Sequence, residues 1–436
     1  MRNRPRWFDP LAIVLFTVGI AYVFWVGYVA SDDASYAFAG RRWVEGFPYL
    51  GTDHWTLRHP LILPIAASFA VLGIGELSLA LPGILFSLAI VLGCYGVLNE
   101  KLGRSGALVV SLSLCTLPVL ASGMSTANVD VVECAFALAS IAAFAHAIGS
   151  PRRAAFLLLA GALAGIAYSA RETAAALVVF YAVLFLIGYA VRRRQYFLVA
   201  TGFLAVFLLE ILIYWSATGD PFYRIGTALN HDIVNRQSWA DGLLDRVGNL
   251  SVGPLLDPVV ALLLNNEFAL TFWVFVPAAI WVLFRGPVDE RLRIRLRLLA
   301  GLALTWCAFI ALNGAFLYLV PRYFMAAAVC ALIVALCWAL LALRRPAARL
   351  AVVALLVGSN LTALSLENRD VLFAERTFAT LAAEADEPVH TDPGTYFRAE
   401  FLLDIAGAAD RATDSPANNG ALYYYAPESV ARGMAG

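Results

Sequence analysis

The chain has 436 residues, of which 61% are hydrophobic and 14% charged, with 31 basic and 31 acidic side chains giving a formal net charge of zero. That composition excludes an ordinary soluble domain, and the balanced total says nothing about partners, although nothing in the sequence calls for nucleic acid. All but one of the basic residues are Arg, and the six Cys fall inside apolar runs, where they act as small hydrophobes rather than disulfide partners.

Taken in chain order, apolar runs of membrane-crossing length, about 20 residues each, recur until about Ser365. Basic clusters mark the cytoplasmic ends of spans, and here they lie at Arg2 to Arg6, Lys101 and Arg104, Arg152 and Arg153, Arg192 to Arg194, Arg285 to Arg297, and Arg344 to Arg349. With all six on one side, the spans fall at 11–30, 80–98, 106–122, 128–148, 154–170, 173–191, 197–215, 267–284, 298–314, 323–343 and 349–366. The expected architecture is an all-α bundle of about 11 transmembrane helices, with a range of 9–13. The transmembrane domain covers 1–366 and a small extracytoplasmic segment covers 367–436. The protein is expected in the plasma (inner) membrane, with the N-terminus cytoplasmic and the C-terminus outside. The apolar stretch Leu61 to Gly73 is short, opens on Pro60 and Pro64, and would invert the parity of every later cluster; it reads as a juxtamembrane or re-entrant helix.

Three parts then face outward: loops at about 31–79 and 216–266, and the tail, which holds 12 acids against 5 bases. In the tail, Pro388 to Gly394 followed by Thr395 to Ile405 reads as strand, turn and helix.

Candidate chemistry begins at Ser31-Asp32-Asp33-Ala-Ser-Tyr36, directly after the first span. Ser31 is a suitable N-cap for a short helix to Gly46, which places both carboxylates in its first turn. One anionic Asp could act as general base; equally, the pair could only cap an interfacial helix. Asp53-His54-Trp55-Thr-Leu-Arg58-His59 gathers a cation, two imidazoles and an aromatic at headgroup depth, which suits a lipid phosphate but also matches interfacial snorkelling. Asn128-Val-Asp130-Val-Val-Glu133 opens a later span with Asp130 and Glu133 on one face. Carboxylates at such a depth are functional candidates, although Asn128 and Asp130 could also serve as caps and Glu133 could pair with an Arg. Arg171-Glu172 and Pro321-Arg322-Tyr323 put cations on the side away from the basic clusters, which calls for an anionic partner: a carboxylate such as Glu172, or a lipid phosphate. Glu210, Asp220, Arg224, His231 and Asp232 extend the polar surface. His54, His59, His231 and nearby Asp residues could hold a divalent metal, but their spacing matches no closed motif and the sequence requires no cofactor. Asn249-Leu-Ser251 and Asn360-Leu-Thr362 match the glycosylation sequon.

In this order the elements resemble the GT-C superfamily of membrane glycosyltransferases, in the branch of the protein O-mannosyltransferases and lipid A aminoarabinose transferases. The resemblance rests on Asp32-Asp33-x-x-Tyr36, Arg58-His59-Pro60-Leu61, Asn128-x-Asp130, Ala170-Arg171-Glu172-Thr173 and Pro321-Arg322-Tyr323. It implies a mannosyltransferase-like enzyme that takes a sugar from a polyprenyl-phosphate donor, with an acceptor glycan, lipid or protein entering from the outer side and inversion at the anomeric carbon. Under it Asp32 matches the catalytic carboxylate, with Asp33 in place of the usual Glu, and Asp130 orients the acceptor or tunes Asp32. Arg58 and Arg171 match phosphate contacts, joined by Arg322. Tyr36, His54, His59, Glu172 and Tyr323 line the substrate. Pro-Pro is common in the family where His59-Pro60 stands here, and the tail is shorter than in many members. The rival readings are a transporter or flippase of lipid-linked sugars, expected to show broken helices or repeats at the midplane, and a non-catalytic scaffold.

Overall fold

The computed structural model describes residues 5–231, 256–313, 320–367, 372–415 and 422–424. Helices dominate, as the apolar runs predict: α1 (Phe8–Val23), α2 (Asp32–Glu45), α3 (His59–Leu72), α4 (Glu76–Leu114), α5 (Pro118–Met124), α6 (Val129–Ala147), α7 (Arg153–Ala170), α8 (Ala175–Ile187), α9 (Tyr196–Thr218) and α10 (Tyr223–His231). They continue as α11 (Asp257–Leu264), α12 (Thr271–Phe284), α13 (Glu290–Leu312), α14 (Met325–Ala342), α15 (Pro346–Glu367), α16 (Phe373–Glu384) and α17 (Pro393–Ala406). Among the described residues, seven helices are long and apolar enough to cross a membrane, and four shorter apolar helices accompany them. Each of the eleven expected spans overlaps a helix, although the one at 106–122 is divided between the end of α4 and α5, with residues 115–117 outside helix. The 39-residue α4 accounts for two of them, because Gly103 takes a positive φ of 70° and breaks the helix between Lys101 and Arg104.

The first span ends earlier than expected, at Val23 rather than residue 30. Residues 24–31 leave the helix because their backbone donors find partners elsewhere: Val26 N–H donates to Ser125 Oγ at 2.9 Å and Tyr28 N–H to Glu76 at 3.4 Å. The α3 helix has 14 residues, about 21 Å at 1.5 Å per residue, too short for a core of about 30 Å. It packs between α2 and α4.

The centre of the bundle is α14, whose Ala-rich face is almost wholly buried; α9 lies at the periphery. The α7 and α9 backbones approach closely because Gly161 and Gly202 face each other's helix. A Cβ at Gly161 would sit 1.9 Å from the Val199 carbonyl oxygen, and one at Gly202 2.0 Å from that of Leu158.

One end of the bundle gathers the basic clusters. There Lys101 bonds Asp289 at 3.0 Å, Arg104 bonds Asp9 at 2.6 Å and Arg295 donates to the Val97 carbonyl at 2.7 Å. The opposite end carries α2, α3 and the tail. The tail forms β1 (Val389–His390), β2 (Ala412–Thr413) and β3 (Leu422–Tyr423) in a parallel sheet of order β2-β1-β3, and the expected strand, turn and helix are β1, the Asp392 cap and α17. It does not stand clear of the bundle: Leu372, Phe378, Val389 and Phe401 share one buried cluster with Tyr28, Tyr36, Ile65 and Phe69. An ion pair between Glu76 and Arg376 closes over this cluster.

Candidate active site

The segment before α2 places the first carboxylates. Ser31 occupies the N-cap position, but its side chain makes no capping bond. Asp33 fastens the turn instead, accepting Val29 N–H at 2.6 Å and Ser31 N–H at 2.7 Å. Burial is the largest influence on Asp33 and, despite these bonds, pushes its pKa up to about 6. Asp33 is therefore turned into the protein to hold the loop, and Asp32 is left to face the bundle.

Asp32 Oδ2 accepts from Arg322 Nη2 at 2.8 Å. Arg322 sits in the turn Pro321–Phe324 that opens α14, and its Nε lies 3.8 Å from Asp130 Oδ2. Asp130 is in the first turn of α6, whose N-cap Asn128 accepts the Asp130 N–H at 2.8 Å. Its other carboxylate oxygen accepts from Arg171 Nη1. Arg171, at the C-terminal end of α7, lies over the Tyr323 ring, 4.1 Å from its centroid. Arg58, just before α3, donates to the Tyr36 hydroxyl. Arg58, Arg171, Asp130 and Tyr36 are all buried, with Asp32 and Arg322 more open. Burial raises the Asp32 pKa, but Arg322, Arg58, Arg171 and His54 outweigh it and hold the carboxyl below its ordinary value.

Three guanidinium groups thus gather around the Asp32 and Asp130 carboxylates, with Glu133 and Glu172 also within electrostatic reach of Arg171. Among the described residues, Arg58 Nε, Arg322 Nε and Asp130 Oδ2 are buried and make no hydrogen bond. Buried polar atoms are normally satisfied, so the two Nε donors call for oxygen acceptors, an anion above all, while Asp130 Oδ2 calls for a donor and has Arg322 Nε 3.8 Å away.

A second cluster lies beside it. Arg224 on α10, almost fully buried, bonds Glu172 at 2.7 Å, Glu210 at 3.2 Å and the Tyr168 carbonyl at 2.9 Å. Glu172 therefore serves Arg224, and the partner of Arg171 is Asp130. Among the described residues Glu133 forms no ion pair with an Arg; it accepts from Thr173 Oγ1 at 2.6 Å. His59 turns away from the arginines to Tyr214, with Nδ1 and the hydroxyl 3.2 Å apart. Burial, and then Arg224, push its pKa down to about 4, so it is neutral at neutral pH and brings no charge to a phosphate. His54 packs against the Trp55 ring, with centroids 3.9 Å apart. Sequence reasoning gave Arg224 no more than a share in a polar surface and did not single out Glu76; an acid opening a span beside a buried cluster was the available signal.

Among the described residues no group of three or more His, Cys, Asp or Glu converges as a metal site; Asp232 and the Asn249 sequon lie outside the described residues. The Asn360 sequon is buried within α15, where the Asn side chain donates to Thr116 Oγ1 at 3.3 Å, which removes it as a glycan acceptor.

The sequence pattern of the family described as dolichyl-phosphate-mannose-protein mannosyltransferase matches residues 59–215. No curated protein matches the chain by sequence. Among solved structures, ArnT from Cupriavidus metallidurans bound to undecaprenyl phosphate is 13% identical, covers 90% of this chain and 84% of its own, and superposes with a TM-score of 0.61. The apo state of the same protein matches 98% of this chain and 95% of its own at 13% identity and a TM-score of 0.58. The archaeal oligosaccharyltransferase AglB from Archaeoglobus fulgidus, in complex with an inhibitory peptide and a dolichol-phosphate, matches 97% of this chain at 12% identity and a TM-score of 0.57. The chain spans 64% of the length of that protein. Identities at this level establish the architecture, and the chain is a polytopic membrane protein of the GT-C fold that carries the mannosyltransferase family's pattern over residues 59–215.

Proposed function

We propose that the protein is an inverting glycosyltransferase that moves a sugar from a polyprenyl-phosphate donor to an acceptor hydroxyl at the outer membrane face. The observation that carries this reading is the chain Asp32, Arg322, Asp130, Arg171, a carboxylate that could act as base held against a guanidinium group, with Arg322 Nε and Arg58 Nε making no hydrogen bond among the described residues. A glycosyl phosphodiester is an anion with oxygen acceptors, the chemistry that guanidinium donors recognise.

Asp32 accepts the proton of the acceptor hydroxyl as the oxygen attacks the anomeric carbon. The bond from that carbon to the phosphate oxygen breaks, and the electron pair leaves with the phosphate on its lipid. The phosphate gains a second negative charge in this step. Arg58, Arg171 and Arg322 are most valuable there, because preorganised cations in a dry site lower a barrier where charge develops. Arg322 bonded to Asp32 keeps that carboxylate a weak base; a phosphate that draws on Arg322 leaves Asp32 more basic when the proton must be taken. Asp130 is a positioning residue that aligns Arg171 and Arg322. Asp33, Tyr36 and Tyr323 position Asp32, Arg58 and Arg171 respectively, and Glu172 positions α10 through Arg224.

The orientation follows from the basic clusters, all at the end opposite Asp32, with the N-terminus inside and the tail outside. The acceptor can be a glycan, a lipid or a protein. The test is transfer by the purified full chain from radiolabelled polyprenyl-phosphate sugars to an envelope extract. Label in an acceptor, lost in Asp32→Asn, supports the reading. Label that crosses a vesicle membrane on an unchanged lipid would instead assign transport.

A further inference from the structure

The basic end of the bundle holds a second site, remote from Asp32. A groove of about 310 Å³ runs between α4, α6, α13 and α14, walled by Ala89, Gly93, Leu138, Ala142, Leu299 and Ile333. Its walls are almost entirely apolar. The lining extends along α4 from Ala89 to Leu98 and along α6 from Ala135 to Ala145, about 14 and 15 Å at 1.5 Å per residue. That is half of a hydrocarbon core of about 30 Å, the depth of one leaflet.

At the basic rim the groove joins a polar hollow of about 250 Å³ that contains His146, Arg291, Arg295 and Glu100. Ala145 and Arg295 line both, so the polar hollow adjoins the rim end of the groove. Arg295 is fixed there: Nη1 donates to the Val97 carbonyl at 2.7 Å, while the Glu100 carboxylate is 4.0 Å away and mostly exposed. Two guanidinium groups and an imidazole stand against one carboxylate, so the rim favours an anion.

We infer that this groove binds one anionic glycerophospholipid, with its phosphate at Arg291 and Arg295 and an acyl chain along Gly93 and Ala142. An acyl chain in a bilayer gains little by exchanging lipid neighbours for Leu and Ala, so selectivity comes from the headgroup. Each arginine near an anionic headgroup is expected to favour it roughly fivefold. Small residues on the facing helices leave width for a chain: a Cβ at Gly93 would meet nothing within 4 Å. Gly93→Leu can therefore fill the groove without displacing the backbone.

The experiment is native mass spectrometry of the full chain after equilibration in nanodiscs of equal phosphatidylglycerol and phosphatidylcholine. The wild type is expected to retain one phosphatidylglycerol in preference to phosphatidylcholine. Arg295→Gln should lower that preference roughly fivefold, Arg291→Gln similarly, and Gly93→Leu should lower retention of both lipids. Arg291 is exposed, so its variant reports on the rim even where Arg295→Gln disturbs the α4 contact. Equal retention of the two lipids by the wild type, or unchanged retention in Arg291→Gln and Gly93→Leu, would overturn the inference. So would a dimer that dissociates in Gly93→Leu, since it would assign the groove to a second copy.

Discussion

Replacing Arg171 by Met tests the electrostatic core of the site. The Asp130 side chain is 1% exposed and Arg171 6%, so Met leaves a carboxylate in a dry environment with Arg322 Nε, 3.8 Å from Oδ2, as its remaining cation. Removing one partner of a buried pair costs about 3–5 kcal/mol, because the other charge stays desolvated and uncompensated. Removing both charges is far cheaper: Arg171→Met with Asp130→Asn keeps the volume and eliminates the orphan. The single variant should therefore lose about 3–5 kcal/mol, and the double variant less than either single loss added to the other by at least about 2 kcal/mol. Unfolding of the detergent-solubilised chain, followed by far-ultraviolet circular dichroism, gives the four corners of the cycle. A loss below about 1 kcal/mol in Arg171→Met, or simple additivity in the double variant, would refute the claim that the two residues form a buried pair.

Arg58→Ala should lower kcat by about 10²–10³ with a smaller change in KM, the behaviour of a cation used chiefly as charge develops; steady-state transfer from labelled donor reads both. Two titrations oppose each other near α2 and α3. The folded-state pKa of Asp33, raised to about 6 from 3.8, means that its contribution is fully present below pH 4 and is lost as pH rises through 6. The His59 pKa, lowered to about 4 from 6.5, means that its contribution is present above pH 6.5 and is lost as pH falls through 4. Each is of order 3 kcal/mol, so within this pair the two dependences nearly cancel between pH 4 and 6, and each substitution is read as a change relative to the wild-type profile. Relative to wild type, Asp33→Asn should shift the slope of stability against pH upward and His59→Gln shift it downward, as denaturant melts across that range would show. Gly161→Leu should reduce the folded yield sharply, because its Cβ would meet the Val199 carbonyl at 1.9 Å; size-exclusion profiles of the solubilised variant report it.

The helices were legible because apolar length and the sidedness of Arg are written in the sequence itself, and the helix-breaking Gly103 sits between the two cations that were expected to mark a loop. The identity of the site's charged residues was legible for the same reason: Asp32, Arg58, Asp130, Arg171 and Arg322 are the polar exceptions at one end of otherwise apolar spans. Who pairs with whom was not. Asp32 and Arg322 are 290 positions apart and Asp130 and Arg171 are 41 apart, and Arg171 adjoins Glu172 in sequence yet meets Asp130 in space. Adjacent Asp32 and Asp33 looked alike until the backbone donors of Val29 and Ser31 claimed one of them. The end of α1 at Val23 was hidden for a related reason, since the partners of residues 26 and 28 lie on α4 and near α6. That the tail packs on the bundle was not legible, because its buried Leu372, Phe378 and Phe401 meet Tyr28 and Phe69, which lie far away in the sequence.

The most direct test of the catalytic assignment separates chemistry from binding at Asp32. Single-turnover transfer from a labelled polyprenyl-phosphate sugar would be measured beside equilibrium binding of that donor, for the wild type and Asp32→Asn. The loss of a general base predicts a rate about 10²–10⁴ lower with donor affinity retained within tenfold. Transfer by Asp32→Asn at the wild-type rate, with donor bound equally well, would contradict the account.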